Sequence, residues 1–200
     1  GELDFTPAHA AAPVKIAVQA SGRVDFPRDS ATGKLDLRAD DSHIQGSWNL
    51  PRLSPPALSL DVDVDRLDLD RYLAKAGKDA HPIDLAALKG HDIDAVLRIA
   101  SLRAGGLQLE RLRLPLSLHG GKLVSSGHSL ALYGGTLEGA LSLTADGNAM
   151  SYRGYLQNAS LGPLLRAATG AEPLTGSLNL FAEVSSAGAT PDALRSGLKG

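Results

Sequence analysis

Residues 57–73 read ALSLDVDVDRLDLDRYL. Leu58, Leu60, Val62 and Val64 alternate with Ser59, Asp61 and Asp63, and further aspartates follow at Asp65, Asp68 and Asp70. Two readings compete. A calcium loop places oxygen ligands at alternate positions, then needs Gly at position six and a bidentate acid at position twelve. Counted from Asp61, those positions hold Arg66 and Tyr72. The loop is also a compact coil, whereas the four aliphatic residues ask for an extended chain. The stretch is therefore a strand with one oily and one hydrated side, because successive strand side chains point to opposite faces. Asp70 then reads as the N-cap of a short helix.

The same two-residue period runs outward in both directions. Val14, Ile16 and Val18 show it, as do Leu35 and Leu37, and Ile44, Gly46, Trp48 and Leu50. Ile93, Ala95, Leu97 and Ile99 follow, then Leu112, Leu114, Leu116 and Leu118, then Leu141 with Leu143 and Leu178 with Leu180. A helix would scatter these leucines around its axis, so pattern outranks the helical preference of Leu. Turn signals separate the runs at Arg28–Gly33, Pro55-Pro56, Gly105-Gly106, Gly120-Gly121, Gly134-Gly135 and Asp146-Gly147. The expected fold is mainly β: a curved antiparallel sheet or open groove of repeated strand units with a few short helices. Helical pieces are expected at Asp70–Gly77 and at Leu161–Gly170, where Pro163 lies near the start and Gly closes the end. Weaker helical signals cover Ile83–Lys89 and Pro191–Leu198.

An internal repeat is visible. Ile44–Leu50 parallels Leu137–Leu143 at an offset of 93 residues, and Leu69–Leu73 parallels Leu161–Leu165 at 92. Each unit reads as strands, a short helix, then more strands. The expected division is a first unit over 1–78 and a second over 79–200, with the seam near Gly77–Pro82 and one continuous sheet, since such repeats stack and share one apolar surface. Both ends fall within sequence that reads as continuing, so a piece of a longer protein is expected.

Composition narrows the function classes. The 200 residues are 43% hydrophobic but only 4% aromatic, so the core is aliphatic. The net charge is −2, from 20 basic and 22 acidic residues. The basic excess of a nucleic-acid binder is missing. Cysteine is absent, which removes disulfides and thiolate metal sites. His9, His43, His81, His91, His119 and His128 show no metal-pair spacing and read as isolated surface residues. No G-x-S-x-G elbow, P-loop or G-x-G-x-x-G is present, and Gly134-Gly135…Gly139 reads as a hairpin turn. No nucleophile–base set emerges. The expectation is a non-enzymatic protein with no cofactor, no catalytic residue and no metal ligand.

What remains is an unusual amount of one-faced aliphatic strand. It either fills an ordinary sealed core or lines a trough left open to hydrocarbon. Smooth Leu/Val/Ile surface suits acyl chains, since dispersion and desolvation need no directional partner. Candidate wall residues are Leu58, Leu60, Val62, Val64, Ile93, Leu97, Ile99, Leu112, Leu114, Leu116, Leu118, Leu141, Leu143, Leu178 and Leu180.

Val62–Leu73, with its L-D-L-D-R-Y-L run, resembles the AsmA family. So do Asp92–Ile99 through Gly106-Leu107, Gly121–Leu123 followed by Leu132–Gly139, Leu164-Leu165, Leu174–Leu178, Gly188–Leu194 and Leu198–Gly200, in that order. Residues 1–43 match less distinctly. The resemblance implies a periplasmic part of a Gram-negative protein, anchored in the inner membrane by an N-terminal helix outside this sequence. It implies a role in outer-membrane biogenesis, through lipid binding and lipid transport along a β-groove. The expected partner is a phospholipid or other acyl lipid, with outer-membrane assembly proteins as further partners and neither nucleic acid nor nucleotide. The competing expectation is a structural or chaperone-like module whose helices seal the apolar face and which binds through a sheet edge. Pro115 and the scattered lysines would suit a guarded edge.

Overall fold

The computed structural model describes residues 2–5, 14–71, 85–188 and 197. The expected seam at Gly77–Pro82, the helix beyond Arg71, most of the Pro191–Leu198 signal, His9 and His81 lie outside those residues.

Alternation becomes strand throughout. The strands are β1 (Glu2–Phe5), β2 (Val14–Asp25), β3 (Ser30–Ala39), β4 (Ser42–Leu53), β5 (Pro56–Asp68) and β6 (Asp92–Ala104). They continue with β7 (Leu107–His119), β8 (Lys122–Leu132), β9 (Gly135–Thr144), β10 (Ala149–Ser160) and β11 (Ser177–Ala187). One α-helix, α1 (Leu161–Thr169), follows β10, and Gly170 closes it in the left-handed conformation with its N–H on Arg166 O. The weak signal at 83–89 is a single 3₁₀ turn, Leu85–Leu88. Another 3₁₀ turn, Leu69–Arg71, follows β5.

All eleven strands form one open sheet in chain order, β1 to β11. Every substantial strand–strand contact is between sheet neighbours, so no second layer lies across either face among the described residues. Every pair is antiparallel except β5 and β6, which run parallel. Alternation carries no information about strand direction. The reversal comes from the long connection 69–91, which returns the chain to the opposite rim, as a parallel neighbour requires.

Strand starts at 14, 30, 42 and 56 recur at 107, 122, 135 and 149, which is 92 or 93 residues later. After β10 the pattern diverges. The chain makes an excursion through α1 and comes back at the same rim, with Ser160 opposite Ser177, so β11 is antiparallel to β10.

One expectation needs correction. Pro115 is not on an edge: β7 lies between β6 and β8. It is tolerated because the β7–β8 ladder is irregular between Arg113 and Ser117, where a residue without an N–H costs no sheet bond. The helix that Asp70 is expected to cap lies outside the described residues; Asp70 itself sits inside the 3₁₀ turn, and its carboxylate accepts from the backbone N–H groups of Gly105 and Gly106 at 2.5 and 3.0 Å, tying the turn to the β6–β7 hairpin. Asp68 does the local work, accepting from Asp70 N at 3.0 Å.

Candidate functional site

Register decides which side chains share a face. Val62 stands opposite Gly46 and beside Leu97, Leu97 opposite Leu114, and Gly46 opposite Leu35, which faces Ala20. The rows above and below repeat this: Leu60–Ala95–Leu116, Leu58–Ile93–Leu118 and Val64–Ile99–Leu112. Leu118 pairs with Leu123, Leu123 with Leu143, Leu141 with Tyr152, Leu156 with Leu180, and Ala159 with Leu178. All fifteen candidate wall residues therefore fall on one face of one sheet.

They differ in shielding. Val64, Ile99 and Leu118 are buried, with Ile99 only 3% exposed, while Leu180 on the last strand is 53% exposed. The others are half-buried. Among the described residues, nine hydrophobic side chains are buried outright, too few for a sealed core behind so many strands. The apolar face is an extended, partly sheltered surface.

Its phase is maintained by a slip. From Val64 to Leu67, Ile99 to Leu102 and Leu109 to Leu112 the apolar spacing is three residues instead of two, at the same level on three adjacent strands. Arg111, inside that interval, has φ +51. Leu67, Leu102 and Leu109 thereby rejoin Val64, Ile99 and Leu112 in one cluster, closed at the rim by Leu69. A second cluster forms at the same rim: Leu132, Leu156 and Ala159, with Leu164 of α1 resting on them.

The opposite face is wet. Asp61 and Asp63 are exposed there, and the Arg98 guanidinium meets Asp61 at 2.5 and 3.1 Å and Asp63 at 3.4 Å. That hydrogen bonding holds the Asp61 carboxyl below its ordinary value and raises Arg98. Asp65 accepts from His43 N at 2.8 Å, which lowers its pKa. Asp94 accepts from Ser117 Oγ at 2.8 Å and from the His119 ring at 3.1 Å; the Ser117 bond is the main reason its pKa falls, and Asp94 in turn raises His119. The aspartates of the opening stretch are thus the hydrated side of β5, engaged by Arg and backbone donors. A hollow of about 860 Å³ opens on this face, lined by Gln19, Lys34, Asp36, Gln45, Asp61 and Asp63 among others. Its charges of both signs suit water better than hydrocarbon.

One histidine breaks the surface expectation. His43 is half-buried against Asp36, and His91 and His119 are exposed, but His128 lies on the apolar face and is 7% exposed. Burial pushes its pKa down. Ser125, 1% exposed, sits with Oγ 3.4 Å from His128 Nδ1, and the Tyr152 ring stacks on the imidazole at 5.7 Å between centroids. Burial raises the Tyr152 pKa. Alternation missed this trio because polar residues at inward positions blur the pattern of β8. Gly127, with φ +71, also inserts one residue there, between the Ser126–Ala140 and His128–Gly139 pairs. The usable signal was that glycine between two stretches of opposite phase.

The profile of the AsmA family matches residues 74–200. No curated protein and no solved structure matches the chain.

Proposed function

Because the chain belongs to the AsmA family, whose members act in outer-membrane assembly or lipid transport in the Gram-negative envelope, we propose that its apolar sheet face holds acyl chains of phospholipid or a related lipid and lets them pass along the strands' stacking direction. The observation that supports this is the continuity of that face. From Ala20 on β2 to Leu114 on β7, one row runs Ala20, Leu35, Gly46, Val62, Leu97, Leu114 without a polar side chain, and no second layer covers it among the described residues.

Physical chemistry favours a long, unspecific guest. Each methylene transferred from water gains about 0.8 kcal/mol, so a few carbons outweigh one lost hydrogen bond of about 1 kcal/mol. Such gains accumulate with chain length and are nearly independent of position, which lets a tail slide. Headgroups would stay in water at the strand rims. No nucleotide or cofactor enters this scheme, and no bond is made or broken. The protein works in the periplasm as a passive surface, with its parent held in the inner membrane.

The test is native mass spectrometry with lipid extraction on the purified protein. Co-purifying phospholipid that disappears in Leu114→Asp/Leu116→Asp, with circular dichroism unchanged, is the expected result. A lipid-free wild-type protein that retains unfolded outer-membrane polypeptide would instead support a chaperone-like module.

A further inference from the structure

Ser125, His128 and Tyr152 gather polar groups on a mainly hydrocarbon-lined face, and we propose that the polar tips of His128 and Tyr152 form a hydrogen-bonding site for the ester carbonyl of an acyl lipid, an inference that rests on the acyl-binding face proposed above.

The geometry begins with two glycines. Gly139 and Gly154 are directly paired on β9 and β10, level with His128 on β8. A Cβ on Gly139 would come within 2.8 Å of His128 Nε2, and one on Gly154 within 2.3 Å of the Tyr152 hydroxyl oxygen. Both polar tips therefore lie over the same bare stretch of backbone. Directly opposed Cβ positions are about 5 Å apart, so the tips hang over adjoining spots. Any side chain on either glycine would push a tip away.

The chemistry is that of two neutral donors. Ser125 Oγ lies within reach of Nδ1, and in the tautomer where its hydroxyl donates there, Nε2 carries the ring proton. Burial favours the neutral imidazole by lowering its pKa. The Tyr152 hydroxyl supplies the second donor, an O–H on a half-buried side chain. No Lys or Arg stands in the neighbouring rows, where Leu137, Leu141 and Val184 surround the trio. A phosphate would need a cation to leave water here. An uncharged carbonyl oxygen needs only a donor, and in a diacyl lipid the ester is the polar group nearest the tails.

Dissociation constants of the purified protein for a diacyl ester phospholipid and for its dialkyl ether analogue, with the same headgroup, test the site. Wild type is expected to bind the ester lipid about five- to tenfold more tightly, the effect of one hydrogen bond. His128→Leu/Tyr152→Phe is expected to bring the ester lipid to the ether level while ether binding stays put. Tyr152→Phe alone removes one oxygen atom and carries the test if the double variant unfolds; it should erase at least half of the preference on a logarithmic scale. Equal wild-type binding of the two lipids overturns the carbonyl site and leaves the acyl-binding face standing. Binding of neither lipid overturns both.

Discussion

The first repeat, β2–β5, and the second, β7–β10, use one scaffold to present different surfaces. Matched by register, the row Gly33–Trp48–Leu60 corresponds to Ser125–Leu141–Tyr152, and the row Leu35–Gly46–Val62 to His128–Gly139–Gly154. In the first repeat the indole of Trp48 lies down on Gly22 and Gly33, so close that a Cβ on Gly33 would be 2.4 Å from the ring. In the second, the smaller Leu141 takes Trp48's place and the room goes to an imidazole and a phenol. One central glycine, Gly46 or Gly139, is common to both. The lesson is that the strand frame and its rows are held in common, while the contents of two adjacent rows change from purely hydrophobic to polar.

If that comparison is right, importing the second repeat's residue into the first should fail most severely. Gly33→Ser places a Cβ 2.1 Å from the Ser21 carbonyl oxygen, which cannot move aside. A loss of about 3 kcal/mol, read as a lower urea midpoint at unchanged slope, is expected. A neutral result would mean that the rows are not as tightly matched as their register says. Next in size, Trp48→Ala should cost about 2 kcal/mol, below the range for fully buried Trp because this ring is half-buried. Leu141→Ala at the matched position should cost less, so equal losses would erase the distinction.

The third comparison is a matter of sign. His128 has its pKa lowered by burial, so the unfolded chain takes up a proton near its ordinary value of about 6.5 while the folded one resists. Its stabilising contribution is complete above about pH 6.5 and declines as pH falls from there toward the folded value. His119, on the wet face, has its pKa raised, chiefly by the hydrogen bond to Asp94. Its contribution is complete below about pH 6.5 and is lost as pH rises through the raised folded value. His128→Phe should therefore flatten the acid side of the stability profile and His119→Gln the neutral side; urea midpoints across that range decide. The smallest effect belongs to Arg98→Met. Its ion pairs with Asp61 and Asp63 join partners that are 42 to 65% exposed, so its shift in urea midpoint is expected to be the smallest of the set and to shrink with salt.

Much of the fold was legible because a hydrated strand face and an oily one write themselves as alternation. Leu58 to Val64 and Leu112 to Leu118 needed no further information. Three things were hidden. The parallel pairing of β5 and β6 depends on the connection 69–91, and alternation is blind to direction. The three-residue step at Asp65, Ala100 and Arg111 makes sense only when the three strands lie side by side, since each alone reads as a break in pattern. The polar trio was hidden because Ser125 and His128 occupy inward positions that a pattern search expects to be aliphatic. That all fifteen candidate residues turn the same way is a property of register, which alternation within single strands does not carry.

The strict chain order of the strands has a consequence for growth. Neighbours in sequence are neighbours in the ladder, and strands repeat at intervals of 92 or 93 residues. Duplicating such a unit of five strands inserts its length into the ladder without rerouting any existing strand. At about 4.8 Å per strand, each duplication extends the sheet by about 24 Å while its cross-section stays constant. A lineage could thus set the length of the apolar face by counting modules, much as a carpenter adds boards to a gangway.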